Sequence, residues 1–234
     1  RACEAVGDVP GAASASEKAV ALLPDDAELQ LAGGKRLAEA GEHEKAVPVL
    51  ERAASLLSER AEVHAALGGS LLALKRFEPA ARALGRAAKL TPEQPKYHAA
   101  LGRAELGLGN LQSAAESLEQ AMRLDGSDTD GLLLIAEAYK RLDRAPDATS
   151  ALRRAIAVRP DDASLHFELG THLKALGQLP QALAAFREAA SLRAGFVEAH
   201  LGAAICAGEL EQLREAVKEY EAAIAADPGR ADAQ

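Results

Sequence analysis

The feature of this sequence that most restricts its fold is a pair of alanine columns with a period of 34 residues. One column runs from Ala12 to Ala216 and the other, seven residues later, runs from Ala19 to Ala223, and every member of both is alanine. No insertion or deletion breaks the register. A fixed period of about 20 to 50 residues indicates an array in which each repeat is one supersecondary unit. The chain is therefore predicted to be a stack of similar units.

Two further columns keep the same period. Large apolar or aromatic residues lie midway between the two alanines of a unit, at Leu50, Leu84, Leu118, Leu152, Phe186 and Tyr220. Tiny residues lie earlier in each unit, at Gly34, Gly68, Gly102, Ala136, Gly170 and Ala204. Tiny residues let two helix backbones approach closely, and large ones fill the facing grooves. The columns therefore predict helix-against-helix packing within the array.

The spacing of apolar residues indicates two helices in each unit. Apolar positions follow i, i+3, i+4, i+7 through two segments of about a dozen residues. Turn signals such as Gly41, Gly109 and Gly177 separate the two segments. Aromatic residues make up only 3% of the chain, whereas strands favour aromatic and β-branched side chains. The fold class is therefore predicted to be all-α.

A 34-residue helix-turn-helix unit, with a tiny residue in the first helix and two alanines seven apart in the second, resembles the tetratricopeptide repeat. The resemblance covers essentially the whole chain and implies a right-handed superhelical solenoid whose inner groove is lined by the first helices. Six full repeats are expected at 27–60, 61–94, 95–128, 129–162, 163–196 and 197–230. Residues 1–26 would form a partial N-terminal repeat, and residues 231–234 would begin a further one.

Histidine replaces the tryptophan that the family often carries near the start of the first helix, at His64, His98, His166 and His200. Equivalent positions in adjacent repeats lie about 10 Å or more apart, given helix spacings of about 8 to 10 Å. Metal ligands must converge to within about 2 Å of one ion. We therefore expect no metal site and interpret these histidines as core residues bonded to a neighbouring polar group. His43 and His172 lack a partner at metal-binding spacing and are predicted to be solvated.

Charge and motif content argue against several functional classes. A net charge of −8 and few aromatic residues argue against nucleic-acid binding. Charged residues interrupt every apolar run before 18 residues, which argues against membrane insertion. The sequence contains no phosphate-binding loop, GxSxG or CxxC motif. We therefore predict that this segment is not an enzyme, has no catalytic residues and needs no cofactor.

The predicted partner-binding groove follows the face of the first helices that avoids the tiny-residue column. Basic residues on this face would orient acidic flanks of a peptide, and apolar ones would contact an amphipathic helix. The alternative is that the apolar residues only pack between repeats. The Lys, Asn and Arg cluster of co-chaperone repeats and the asparagine ladder of O-GlcNAc-transferase-like repeats are both absent. The predicted groove residues are Leu31, Lys35, Arg103, Leu133, Glu137, Lys140, Phe167, Lys174, Leu201 and Ile205.

The sequence thus predicts a non-catalytic scaffold that binds a peptide or amphipathic helix of a partner protein in this groove. An alternative is the substrate-recruiting arm of a larger enzyme, such as a glycosyltransferase, whose catalytic domain lies outside this chain. A third hypothesis is end-to-end self-association, because neither end of the array carries a polar capping helix.

The cellular setting is predicted only in outline. A soluble protein is expected, with the cytoplasm favoured over the periplasm, where a signal peptide would have to precede Arg1. The alanine-rich, asparagine-poor composition favours a bacterial genome of high GC content.

Overall fold

The computed structural model of the chain describes residues 17–227, in which every regular element is an α-helix. The predicted all-α repeat fold is confirmed. The chain divides into two compact units, unit 1 over Arg1–Gly126 and unit 2 over Ser127–Gln234.

The described part of unit 1, residues 17–126, contains three complete helical hairpins. They pair α1 (Ala27–Glu39) with α2 (His43–Leu56), α3 (Ala61–Ala73) with α4 (Phe77–Leu90), and α5 (Pro95–Leu108) with α6 (Leu111–Leu124). Residues 17–22 are also helical. The second helix of one hairpin packs on the first helix of the next, and successive first helices also contact each other. Each hairpin therefore covers the apolar face of its neighbour, as expected of a repeat array.

Unit 2 repeats this arrangement. Its hairpins pair α7 (Thr129–Arg141) with α8 (Ala145–Val158), α9 (Ala163–Ala175) with α10 (Leu179–Leu192), and α11 (Val197–Glu209) with α12 (Leu213–Ala226). Helix α8 packs on α9, and α10 packs on α11.

Aspartate caps begin three of the first helices. The carboxylates of Asp26 and Asp128 each accept a hydrogen bond from a backbone N–H three residues later, at 3.0 Å. Asp162 accepts from the N–H of Ser164 at the same distance. These bonds satisfy N–H groups that have no partner inside the helix. The acidic residues that precede α1, α7 and α9 therefore have a structural role.

Every hairpin turns through one residue with a left-handed backbone. This residue is Gly41, Gly109 or Gly177 in three hairpins and Lys75, Asp143 or Glu211 in the other three. All six positions are related by the 34-residue period, and their φ values lie between 56° and 82°. The hairpin geometry thus imposes positive φ even on side chains that disfavour it.

The columns of tiny and large residues meet inside the hairpins. A Cβ atom added to Gly68 would lie 2.5 Å from Cγ of Leu84, and one added to Gly170 would lie 2.8 Å from the Phe186 ring. Leu84 and Phe186 are 1% and 2% exposed. The close approach of the two helices therefore depends on the missing side chain, and the large residue fills the space that it leaves.

Recurring histidines tie three of the first helices to the loop before each of them. Nε2 of His64, His98 and His166 lies 2.8 Å from a backbone carbonyl oxygen six residues earlier. In His200, Nδ1 instead lies 2.9 Å from a carboxylate oxygen of Glu219. These rings contact a neighbouring polar group as predicted, but all four histidines are half-buried and are not core residues.

The prediction that His172 is solvated is wrong. The side chain is only 7% exposed, and its Nε2 lies 3.3 Å from the Ala145 carbonyl oxygen. In two other first helices, the residues at the equivalent repeat position are Ala104 and Ala138, and both are buried. The repeat position of His172 therefore indicates a buried side chain.

Candidate functional site

Three successive first helices of unit 1 border an open cavity of about 300 Å³. We call it the first-helix cavity. Helix α1 contributes one lining residue, α3 and α5 contribute three each, and α4 contributes one. The lining residues are Lys35, Glu62, Ala65, Ala66, Leu84, Lys96, Tyr97 and Ala100.

The cavity exists because alanines occupy the facing positions of α3 and α5. Ala65, Ala66 and Ala100 are partly buried and leave room that larger side chains would fill. Leu84, which is 1% exposed, contributes from the second helix of the hairpin. A volume at the small end of the range for ligand pockets, with a largely apolar wall, suits a single apolar side chain better than a large cofactor.

An ion pair forms one edge of the first-helix cavity. Nζ of Lys35 donates a hydrogen bond to a carboxylate oxygen of Glu62 at 2.7 Å, which joins α1 to α3. Arg60 lies 3.5 Å from the other carboxylate oxygen. The hydrogen bond from Lys35, aided by the positive charges of Lys35, Arg60 and Lys96, lowers the pKa of Glu62. Glu62 is therefore ionised at neutral pH and holds Lys35 in place.

Tyr97 and Lys96 add two polar groups that form no hydrogen bond or ion pair with another residue within 17–227. Burial, followed by the negative charge of Glu62, raises the pKa of Tyr97, so its phenol is protonated at neutral pH. No hydrogen bond joins the Tyr97 hydroxyl to another residue within 17–227. Nζ of Lys96 lies 5.4 Å from the centroid of the Tyr97 ring, within cation–π range. Tyr97 and the exposed Lys96 thus both border the cavity.

Unit 1 contains three of the groove residues predicted from the sequence, and they differ in position. Lys35 lines the first-helix cavity. Arg103 is exposed on α5 but does not line it. Leu31 is 4% exposed and belongs to the core cluster with Leu37 and Leu50, so its side chain stabilises the hairpins and offers no surface to a partner.

The face of the first helices that the sequence predicts to point inward also contains Glu62, Ala65 and Lys96, which line the cavity, whereas Tyr97 does not belong to that face. The ion pair between Lys35 and Glu62 connects residues 27 positions apart, on neighbouring first helices. Opposite charges at this spacing are the signal from which this part of the site can be found.

Phe167, a predicted groove residue of unit 2, belongs to a cluster of aromatic rings. Its ring centroid lies 5.6 Å from that of Phe186 and 5.1 Å from that of Phe196. The Arg193 guanidinium lies 4.3 Å from the Phe196 ring centroid. Phe167 is half-buried and packs α9 against the following elements, which is the alternative role that the sequence left open.

The other predicted residues of unit 2 lie on α7, α9 and α11. Leu133 and Leu201 are half-buried, and Ile205 is 37% exposed. Nζ of Lys140 and a carboxylate oxygen of Glu137 form an ion pair at 3.3 Å.

Lys174, the last of the predicted residues, affects the pKa of the buried Cys206 thiol. Burial raises the pKa of Cys206, and the positive charge of half-buried Lys174 opposes that shift. Cys206 is 0% exposed, which fits a small core residue. Cys3 lies outside the described residues.

The described helices give no sign of a metal centre or a membrane span. Within residues 17–227, no three His, Cys, Asp or Glu side chains are grouped so that they would hold a metal ion. None of the helices in this part of the chain is both long enough and apolar enough to cross a membrane.

Family models identify the array. Two models described as tetratricopeptide repeat match residues 37–104, 105–169 and 167–231. The chain belongs to the tetratricopeptide repeat family. No curated protein sequence matches it significantly.

Solved structures agree with this assignment. The C-terminal part of a repeat-containing protein from Cytophaga hutchinsonii is similar over 99% of this chain and 95% of its own, with a TM-score of 0.83 and 13% identity. MamA is similar over 69% of this chain and 95% of its own, with a TM-score of 0.62 and 25% identity. YrrB, described as a TPR protein with an unusual peptide-binding site, is similar over 79% of this chain and 95% of its own, with a TM-score of 0.65 and 20% identity.

Proposed function

We propose that the protein is a non-catalytic scaffold that binds a peptide or amphipathic helix of a partner protein along its first helices. The first-helix cavity of unit 1 carries this proposal, because it is an open, alanine-walled space between three successive first helices. A large apolar side chain of the partner would enter the cavity and anchor the segment. Peptide binding has a precedent in the same fold, in the protein YrrB.

The charges around the cavity favour an acidic residue beside the apolar anchor. Lys35 already donates to Glu62, so its charge is partly neutralised. Lys96 is exposed and forms no ion pair with another described residue, and Tyr97 is its neighbour in the lining. An aspartate or glutamate of the partner would pair with Lys96, and a backbone or side-chain acceptor would bond to Tyr97.

In unit 2, the proposed contacts are Leu133, Glu137, Lys140, Phe167, Lys174, Leu201 and Ile205. Phe167 is a poor position for testing this proposal, because its ring contacts Phe186 and Phe196. A Phe167→Glu change would disturb the packing of the hairpins as well as any partner surface. Unit 1 therefore provides the cleaner test.

The experiment selects peptides from a displayed random library on the immobilised full chain and measures their affinity by fluorescence anisotropy. We expect the selected peptides to carry a large apolar residue next to an acidic one. Ala65→Gln, which fills the first-helix cavity, should lower their affinity at least about tenfold. Ala73→Gln is the matched control, because Ala73 is exposed on the same helix and does not line the cavity.

A charge reversal provides the second arm of the experiment. Lys96→Glu should weaken binding of the acidic peptides, whereas Lys89→Glu, an exposed lysine on α4 outside the cavity, should not. Circular dichroism would verify that all four variants keep their helical content. Equal affinity of the selected peptides for wild type, Ala65→Gln and Lys96→Glu would refute the assignment of the site.

A further inference from the structure

The last described helix, α12, has an apolar face that the described residues leave largely open. Leu213 is 70% exposed and Val217 is 53% exposed. Tyr220 and Ile224 continue the same face and are half-buried. Because these residues follow one another at steps of four, three and four positions, they form one stripe along the helix. We call these four residues the α12 stripe.

The corresponding face of the preceding second helix is covered. The residues that correspond to Val217 and Tyr220 by the 34-residue period are Leu183 and Phe186 on α10, and they are only 5% and 2% exposed. They are buried because α10 packs on α11, the first helix of the next hairpin. The α12 stripe therefore has the composition of a surface that another helix covers.

Two charges without ion-pair partners border the α12 stripe on one side. Arg214 and Glu221 are both exposed, and neither side chain forms an ion pair with another described residue. They lie two helical turns apart, which is about 10 Å along the axis. The opposite border consists of Ala216 and Ala223, which are buried in the hairpin that α12 forms with α11. The free border of the stripe thus has a positive group near its start and a negative group near its end.

This pattern is complementary to itself when two copies of α12 lie antiparallel. A two-fold axis between the two helices would place Leu213 of one copy opposite Ile224 of the other. The same axis turns each border of the stripe onto the same border of the second copy, so Arg214 of each copy would lie near Glu221 of the other. In a parallel pair, this border would instead face the alanine border, and both charges would stay unpaired.

We propose that the α12 stripe binds the α12 stripe of a second copy of this chain in an antiparallel, two-fold symmetric pair. The covering surface must be apolar and must offer an acid to Arg214 and a base to Glu221, and a second copy supplies all three. The pairing uses both stripes, so assembly ends at the dimer. It involves only unit 2 and is independent of the first-helix cavity.

The experiment is sedimentation velocity of the full chain over a series of concentrations from micromolar to near-millimolar. We expect a reversible equilibrium between monomer and dimer. Val217→Glu places a charge in the middle of the stripe and should raise the dissociation constant of the dimer at least about tenfold. Ala184→Glu, at an exposed position on α10, is the matched control and should leave that constant unchanged. Circular dichroism would verify that both variants keep their helical content.

An exchange of charges tests the antiparallel arrangement. Arg214→Glu and Glu221→Arg each bring like charges together at two symmetric places, so each should weaken the dimer at least about threefold. The double variant restores opposite charges across the two-fold axis. It should therefore recover most of the affinity of the wild-type dimer.

Four results would overturn the proposal. A chain that stays monomeric at the highest concentration would leave the α12 stripe to another occupant. Assembly that continues beyond the dimer would indicate end-to-end stacking of the arrays instead. Equal dimer affinity of wild type and Val217→Glu would place the contact elsewhere, and a double charge variant no tighter than the single variants would exclude the antiparallel pairing.

Discussion

The contact between Gly68 and Leu84 provides a quantitative test of how the hairpins are packed. A methyl group added at Gly68 would lie 2.5 Å from Cγ and 2.9 Å from Cδ2 of Leu84, far inside van der Waals contact. The two residues therefore compete for one space. We expect Gly68→Ala and Leu84→Ala each to destabilise the protein, and the double variant to be less destabilised than the sum of the two.

The magnitudes follow from burial and overlap. Leu84 is 1% exposed, so Leu84→Ala should cost about 2–5 kcal/mol in the free energy of unfolding. Gly68→Ala gains about 1 kcal/mol of helix propensity but incurs about 1–3 kcal/mol of overpacking, a net cost of about 0–2 kcal/mol. In the double variant the new methyl enters the space that Leu84 vacates, so the coupling should be at least about 1 kcal/mol.

The assay is urea unfolding of the four proteins, followed by far-ultraviolet circular dichroism. Gly69→Ala is the matched control, because Gly69 is exposed on the same helix and a Cβ there would meet no atom within 4 Å. That variant should be more stable by about 0.5–1 kcal/mol, from helix propensity alone. Strictly additive effects of Gly68→Ala and Leu84→Ala would refute the reasoning.

Three further predictions concern other parts of the chain. Pro48 is exposed inside α2, so Pro48→Ala should restore a backbone hydrogen bond and stabilise the protein by about 1–3 kcal/mol in urea unfolding; an unchanged midpoint would contradict this. The pKa of Glu62 is lowered, so its stabilising effect is present above the ordinary value of 4.5 and is lost as pH falls through the folded-state pKa. Lys35→Met should therefore cost under about 1 kcal/mol at pH 7 and nothing below that pKa, and a cost independent of pH would contradict the ion pair. Burial raises the pKa of Cys206, so in a Cys3→Ser background its thiol should react with a disulfide reagent only when unit 2 opens; fast labelling of the native protein would contradict its burial.

The fold was predictable from the sequence because each column of the repeat has one structural role. Gly68 and Leu84 recur in kind every 34 residues because every hairpin needs the same close approach. The left-handed turn position was predictable where it is glycine, as at Gly109. A turn is also predicted at Lys75, but its left-handed backbone and that of Glu211 are not, because these residue types disfavour positive φ and only the hairpin geometry imposes it.

The candidate site was less predictable, because spacing along one helix does not reveal what neighbouring helices cover. Leu31 and Lys35 lie on one predicted face, yet Leu31 is buried and Lys35 lines the cavity. The first-helix cavity is bordered by the small side chains of Ala65, Ala66 and Ala100. A small residue in place of a large one can be found by comparing the repeats, but only the three-dimensional structure shows whether it leaves a cavity.

Intermolecular nuclear Overhauser effects measure contact between a partner segment and the first-helix cavity most directly. With a peptide selected on the full chain and methyl-labelled alanines, we predict contacts from the apolar side chain of the peptide to Ala65, Ala66 and Ala100. Contacts confined to residues outside this cavity, with none to the three alanines, would contradict the proposed mode of binding.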